Sequence, residues 1–249
     1  MTRKKATATG SMAILLWSLL ALFTVGSSPV PPFLLNALTF SIGGLVGLAW
    51  ILLSGTLGQL GLVPRRVYLW GAFGLFGYHF LYFSALRLAP PAEAGLICYL
   101  WPLLIVVFSG FLPGERLSAL HIFGTALSFG GSALLIVGQL GSGAHGAFLG
   151  YGLALLAAVT WALYSVLSRP LGQVPTAAVV VYCLLTALLS GLCHLALEET
   201  VWPIGATGWA SVLALGLGPV GLAFYVWDVG VKKGDIQLLG TLSYAAPLL

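Results

Sequence analysis

Charge is what this sequence has least of. Ten Lys and Arg and six Asp and Glu leave 6% of its 249 residues charged, against roughly 25% in soluble domains. So few ions cannot clothe a water-soluble globule, and 59% of the residues are hydrophobic, with a mean hydropathy of +1.05. The apolar runs recur along the whole length, so the solvent is lipid. A pI near 9.1 does not point to nucleic acid, because the basic residues form small clusters between apolar runs instead of one stripe. Cysteine is scarce too: Cys98, Cys183 and Cys193 are odd in number and lack the close pairing of zinc or redox motifs. They are assigned to packing. Carboxylates are missing from mid-span positions. Glu93, Glu115, Glu198, Glu199 and Asp235 fall at span ends or turns, and Asp228 lies four residues before Lys232, within helical pairing distance. A proton-driven antiporter usually carries an ionisable residue at mid-membrane, and none is evident here. No metal constellation appears either, and no cofactor is expected.

What the sequence has is a series of membrane-length helices. A helix crossing the hydrocarbon core needs about 20 apolar residues. By that measure spans fall at 12–28, 32–54, 66–87, 91–112, 117–138, 147–168, 176–197 and 207–231, with a ninth beginning near 235. The start, "MTRKKATATGSMAILLWSLLALFTV", has the basic region of a signal peptide, but further spans follow at once, so it reads as an uncleaved first helix. Connections such as "SSPVPP", "GQLGSGAHG" and "SRPLGQVP" are rich in Pro, Gly and Ser. With a cytoplasmic N-terminus, alternating loops put nine of the ten Lys and Arg on one side, only Arg87 lying opposite, which satisfies the positive-inside rule.

Sliding the chain by 145 residues aligns 71–104 with 216–249 without a gap. Gly71 meets Gly216, Gly95 meets Gly240, Tyr99 meets Tyr244, Arg87 meets Lys232, and Pro102 meets Pro247. Trp17 falls near Trp161 at almost the same offset. Each unit holds five spans, and an odd number makes the second copy enter from the opposite face, as in alternating-access transporters. The expected fold is an all-α integral membrane protein, a ten-transmembrane-helix inverted repeat. Its halves would be 1–140 and an incomplete 141–249, the ninth helix truncated and about 35 residues still to come after Leu249 by repeat symmetry.

The stretch "FSALRLAPPAEAGLICYLWPLLIVVFSGFLPGERLSALHIFGTALSFGGSALLIVG" joins an Ala-Pro turn, a proline in the fourth span, Glu115 in the following turn and a Gly-rich fifth span. It resembles the drug/metabolite transporter superfamily, specifically its EamA-type ten-helix members, and the resemblance covers essentially the whole chain. It implies a bacterial inner-membrane exporter of amino acids and similar compounds, with a central cavity between two repeats.

Prolines mark where that cavity is expected. Pro102 removes the helical partner of the Cys98 carbonyl, and Pro247 that of Ser243, and paired interruptions in two halves point to a midplane substrate site. A packed proline kink is the bland alternative. Tyr78 and Tyr82 share one helical face, with His79 one step round. Together with Trp17, Tyr99, Trp101, Trp161, Tyr164, Trp227, Ser243 and Tyr244 they offer rings and polar tips to a substrate. An amino-acid carboxylate would meet freed backbone N–H groups, and its ammonium carbonyls or a ring face. The alternative for such rings is an interfacial belt, favoured for Trp50, Trp70, Trp202 and Trp209 near span ends. His79 is read as a substrate ligand or proton shuttle, or as a histidine bonded to a neighbouring tyrosine; His121 and His194 sit near span ends and His145 in a loop. Gly95 and Gly240, with Pro102 and Pro247, are the expected hinges, whereas Gly43 with Gly47 and Gly146 with Gly150 suit close helix packing.

These readings converge on an exporter of aromatic and other neutral amino acids, working by alternating access and facilitated diffusion, with Asp228 or His79 as fallback proton carriers. Its partners are the small-molecule substrate and the lipid bilayer. A proton-coupled exporter of lipophilic cations would favour an embedded carboxylate. An intramembrane enzyme would need a clustered acid, base or metal set, which the scattered histidines do not supply.

Overall fold

The computed structural model describes residues 1–137 and 147–249, and among these no strand occurs. The expected loop "GQLGSGAHG" with His145, the Gly146 of the Gly146–Gly150 spacing and the half boundary at 140/141 lie outside the described residues. The helices are α1 (Arg3–Ser18), α2 (Leu20–Gly26), α3 (Pro32–Leu53), α4 (Arg65–Ala72), α5 (Tyr78–Leu88), α6 (Pro91–Cys98), α7 (Trp101–Ser109), α8 (Ala119–Val137), α9 (Phe148–Leu167), α10 (Ala178–Leu197), α11 (Gly205–Leu217), α12 (Ala223–Lys233) and α13 (Ile236–Leu242).

Hydropathy placed most span boundaries to within two residues. The exceptions are the fourth span, expected to reach 112 but ending at Ser109, and the first helix, expected from residue 12 but beginning at Arg3, where the Thr2 hydroxyl caps it by accepting from the Lys5 N–H at 3.4 Å. Its three cations, read as outside the helix, form the helix's own first turn. Among the described residues six helical segments are long and apolar enough to cross a membrane: Arg3–Gly26, Pro32–Leu53, Pro91–Ser109, Phe148–Leu171, Ala178–Leu197 and Gly205–Lys233. The helical stretch 65–88 is not one of them, because its flanking arginines, its tyrosines and His79 dilute its hydropathy.

Two features recur 145 residues apart. Wide, π-type turns occupy Phe73–Gly77 and Gly218–Leu222, and each leads into an eleven-residue helix, α5 and α12. Packing repeats as well: α1 lies against α12, while α9 lies against α5, and α3 packs on α10. In lipid no hydrophobic effect drives helices together, so small residues and hydrogen bonds hold the contacts. A Cβ on Gly10 would stand 2.7 Å from the Gly230 Cα, so only glycine permits the α1–α12 approach. Between α3 and α10, the buried Asn36 amide donates to Ser190 Oγ at 2.7 Å.

Polar contacts define two ends. At one, Glu115 binds Arg169 (2.5 Å) and Arg3 (3.2 Å), Arg3 also reaches Asp235 (3.2 Å), and Arg169 donates to the Val231 and Gly234 carbonyls. Asp228 pairs there with Lys232 at 2.8 Å and accepts from the Thr176 hydroxyl at 2.8 Å, and Lys232 also donates to the Val174 carbonyl. At the other end Glu198 accepts from the Phe33 and Leu34 N–H groups at the start of α3, and pairs with Arg87 and His194. Tyr151, at the start of α9, donates to Glu93 at the start of α6. The chain thus shuttles between the ends, the N-terminus and the 168–177 and 233–236 turns at the first, the 27–32 and 88–91 turns at the second.

Candidate functional site: an aromatic cavity

A cavity of about 510 Å³ runs from mid-bundle toward the second end, reaching Val25 and Leu86, close to the ends of α2 and α5. Among the described residues no Asp, Glu, Lys or Arg lines it. Its floor is built by Trp17 (α1), Trp101 (α7) and Trp161 (α9), backed by Trp227 (α12), and every pair of the four has ring centroids between 5.1 and 6.4 Å apart. Most of these contacts are edge-on, the arrangement that ring quadrupoles favour. Trp17 Nε1 donates to the Pro219 carbonyl at 3.0 Å and Trp227 Nε1 to Ser165 Oγ at 3.1 Å, which fixes both rings. Asp228, next to Trp227 in the sequence, does not line the cavity and pairs with Lys232 at the first end.

One wall comes from α5. Tyr78 and Tyr82 stack with planes 3° apart and centroids 5.9 Å apart, and the Cys98 thiol contacts the Tyr78 hydroxyl at 3.6 Å. His79 packs edge-on against Phe40 and Tyr78, and its Nδ1 lies 2.7 Å from the Leu75 carbonyl, inside the first π-type turn.

The interrupted helices meet beside this wall. The first break falls at Tyr99–Leu100, three residues before Pro102, which sits in the first turn of α7, where a missing N–H costs nothing. The Ser243 carbonyl, at the start of the 3₁₀ segment Ser243–Leu248 and without an α-helical donor because that position is Pro247, accepts from the Tyr99 hydroxyl at 2.9 Å. The Leu103 N–H donates in turn to the Tyr244 hydroxyl at 3.1 Å, and the two tyrosine rings touch edge-on at 5.4 Å. Each tyrosine therefore satisfies a backbone group at the other helix's interruption, as broken helices at membrane depth require.

Of the side chains expected at the site, Trp17, Tyr78, His79, Tyr82, Tyr99, Trp101 and Trp161 line the cavity, as does Gly95. Tyr164, Trp227, Ser243 and Tyr244 do not: each is at most 3% exposed and sits one layer behind the wall. Pro102, Gly240 and Pro247 are likewise outside the lining, though Ala246 reaches it. Sequence reasoning missed Asn36 and Thr39, three residues apart on α3 and both in the wall, along with Phe224 and the Pro219–Val220 turn. Asn36 is the chain's only asparagine, and its place within an apolar run was a usable signal. Of the predicted belt, Trp50, Trp202 and Trp209 are 44–54% exposed.

A bundle of apolar helices around an uncharged, aromatic-walled cavity, with its ion pairs kept to the ends, defines a multi-pass membrane protein of the transporter class. The chain belongs to the EamA-like transporter family, whose model matches residues 6–137 and 148–249. It is similar to the aromatic amino acid exporter YddG of Ancylobacter novellus, 55% identical over 251 residues that take in 100% of this chain and 87% of that protein. The Salmonella typhimurium protein of the same name is 26% identical over 265 residues, again covering 100% of this chain and 87% of the relative. A solved crystal structure, 54% identical, superposes with a TM-score of 0.94 over 99% of this chain and 86% of that one.

Proposed function

We propose that the protein exports aromatic and other neutral amino acids by alternating access, the substrate resting in the cavity above the four tryptophans. The observation that carries this reading is the cavity itself: ring-walled, lined by no Asp, Glu, Lys or Arg among the described residues, and bordered by two interrupted helices. The 55% identity to a protein named as an aromatic amino acid exporter supports the substrate class.

Two five-helix halves of opposite polarity, 1–140 and from 141 onward, are the proposed architecture, completed by a tenth helix. Support comes from the family match in two stretches, the π-type turns 145 residues apart, and the reciprocal packing of α1 on α12 and α9 on α5. With a cytoplasmic N-terminus, the ion-paired end faces the cytoplasm and the cavity faces outward. Rocking of the halves would break the Glu115–Arg169 pair and the tryptophan layer while closing the far end.

Transport runs down the substrate gradient in this reading. Asp228 is held by Lys232 and Thr176 behind the tryptophans, with no place in the cavity wall. Uptake of labelled phenylalanine into liposomes carrying the full-length protein tests it. Uptake indifferent to an imposed pH gradient is expected; acceleration by the gradient, lost in Asp228→Asn, would overturn it.

A further inference from the structure

We infer that His79 is the specificity determinant for the substrate's α-ammonium group, which donates to its Nε2; the inference rests on the proposed amino-acid function. A carbonyl oxygen can only accept, so the 2.7 Å contact between His79 Nδ1 and the Leu75 carbonyl puts a proton on Nδ1. In the neutral ring Nε2 is then a bare acceptor. It has no hydrogen-bond partner among the described residues. Fully buried side-chain nitrogens or oxygens without a partner are there limited to Trp70 Nε1 and Thr186 Oγ1, so Nε2 is open to the cavity that its ring lines. The ring cannot swing away, because Phe40, Tyr78 and Phe224 pack around it at 5.0–6.1 Å and the Leu75 bond fixes its tilt.

Asn36 Oδ1 and the Tyr82 hydroxyl are further acceptors in the wall, whereas its two free indoles have the opposite sense. By the same reasoning the indole N–H groups of Trp101 and Trp161 face the cavity without protein acceptors, and an indole can only donate. Donors at the floor suit a carboxylate; an acceptor on the α5 wall suits an ammonium. Trp161 and His79 both touch Tyr78 and Phe224, so the two senses are one ring apart. Since no carboxylate among the described residues lines the cavity, an ammonium entering it meets no anionic partner among them, and a fixed imidazole acceptor takes on more weight.

The test is a cycle between a substrate group and a side chain. Binding of L-phenylalanine, N-acetyl-L-phenylalanine and phenethylamine to the purified full-length protein is measured by calorimetry, in the parent and in His79→Leu, His79→Gln and His79→Asn. Gln can place a carbonyl oxygen near the Nε2 position; Asn reaches only as far as Nδ1. In the parent, acetylation of the amine is expected to weaken binding at least tenfold. His79→Leu is expected to weaken L-phenylalanine and phenethylamine about tenfold and leave the acetylated compound unchanged, with partial recovery in His79→Gln and none in His79→Asn. Equal losses for the acetylated and free-amine compounds, or recovery by Asn and not Gln, would overturn the inference while leaving the export reading intact. Absence of L-phenylalanine binding to the parent would instead remove the export reading and the inference with it. Thermal melting of each variant separates misfolding from lost recognition; should His79→Leu fail to fold, the contrast between Gln and Asn decides.

Discussion

The two interrupted helices carry the same signature, a glycine four residues before a tyrosine that is three residues before Pro-Leu-Leu, yet they do different work. Around Gly95 the first helix faces open space: a Cβ added there meets nothing within 4 Å, and Gly95, Cys98, Tyr99 and Trp101 all line the cavity. Around Gly240 the second packs tightly, with a Cβ 3.1 Å from the Pro102 carbonyl oxygen and 3.0 Å from Val106. One break forms the wall and the other braces it. A repeat in sequence specifies which backbone is interrupted; the neighbours decide whether the interruption meets solute or protein.

Substitutions at matching positions can break or sharpen this contrast, most strongly at the bracing helix. Gly240→Val is expected to destabilise by about 2–3 kcal/mol through overpacking against the Pro102 carbonyl, read as a lower melting temperature in detergent. Tyr244→Phe strips the Leu103 N–H of its acceptor and should cost about 1–2 kcal/mol, the penalty of an unpaired buried donor. Tyr99→Phe removes the hydroxyl that donates to the Ser243 carbonyl, one neutral hydrogen bond, so about 1 kcal/mol is expected. Gly95→Leu should change stability least, since it fills space and replaces a helix-weakening glycine worth less than about 1 kcal/mol. Melting curves that ranked Gly95→Leu below Gly240→Val would dissolve the distinction between wall and brace.

Much of this arrangement is legible in the residues. Long apolar runs mark the helices because lipid leaves an unpaired backbone no alternative partner, and the 145-residue offset later reappears in the two π-type turns. Mid-span rings with polar tips were a sound guide to the cavity: Tyr78, Tyr82, Tyr99, Trp101, Trp17 and Trp161 all reach it. Depth around each helix was not legible. Trp227, Tyr164 and Tyr244 have the same chemistry as the lining rings, and helices apolar on every face carry no periodic signal to separate cavity from neighbour. The break position was also displaced, because proline is tolerated in a first turn and the helix restarts at Trp101, just before Pro102, instead of bending through it. Asn36 carries no ring, yet a lone amide inside a span is itself a polar signal.

Whether the aromatic cavity is the path of the solute is tested most directly by filling it. Liposomes containing full-length Gly95→Leu should take up labelled phenylalanine at least tenfold more slowly than the parent while melting at the same temperature, because the added side chain occupies the space in front of Tyr99 and Trp101. Uptake at the parental rate by a correctly folded Gly95→Leu protein would place the path elsewhere.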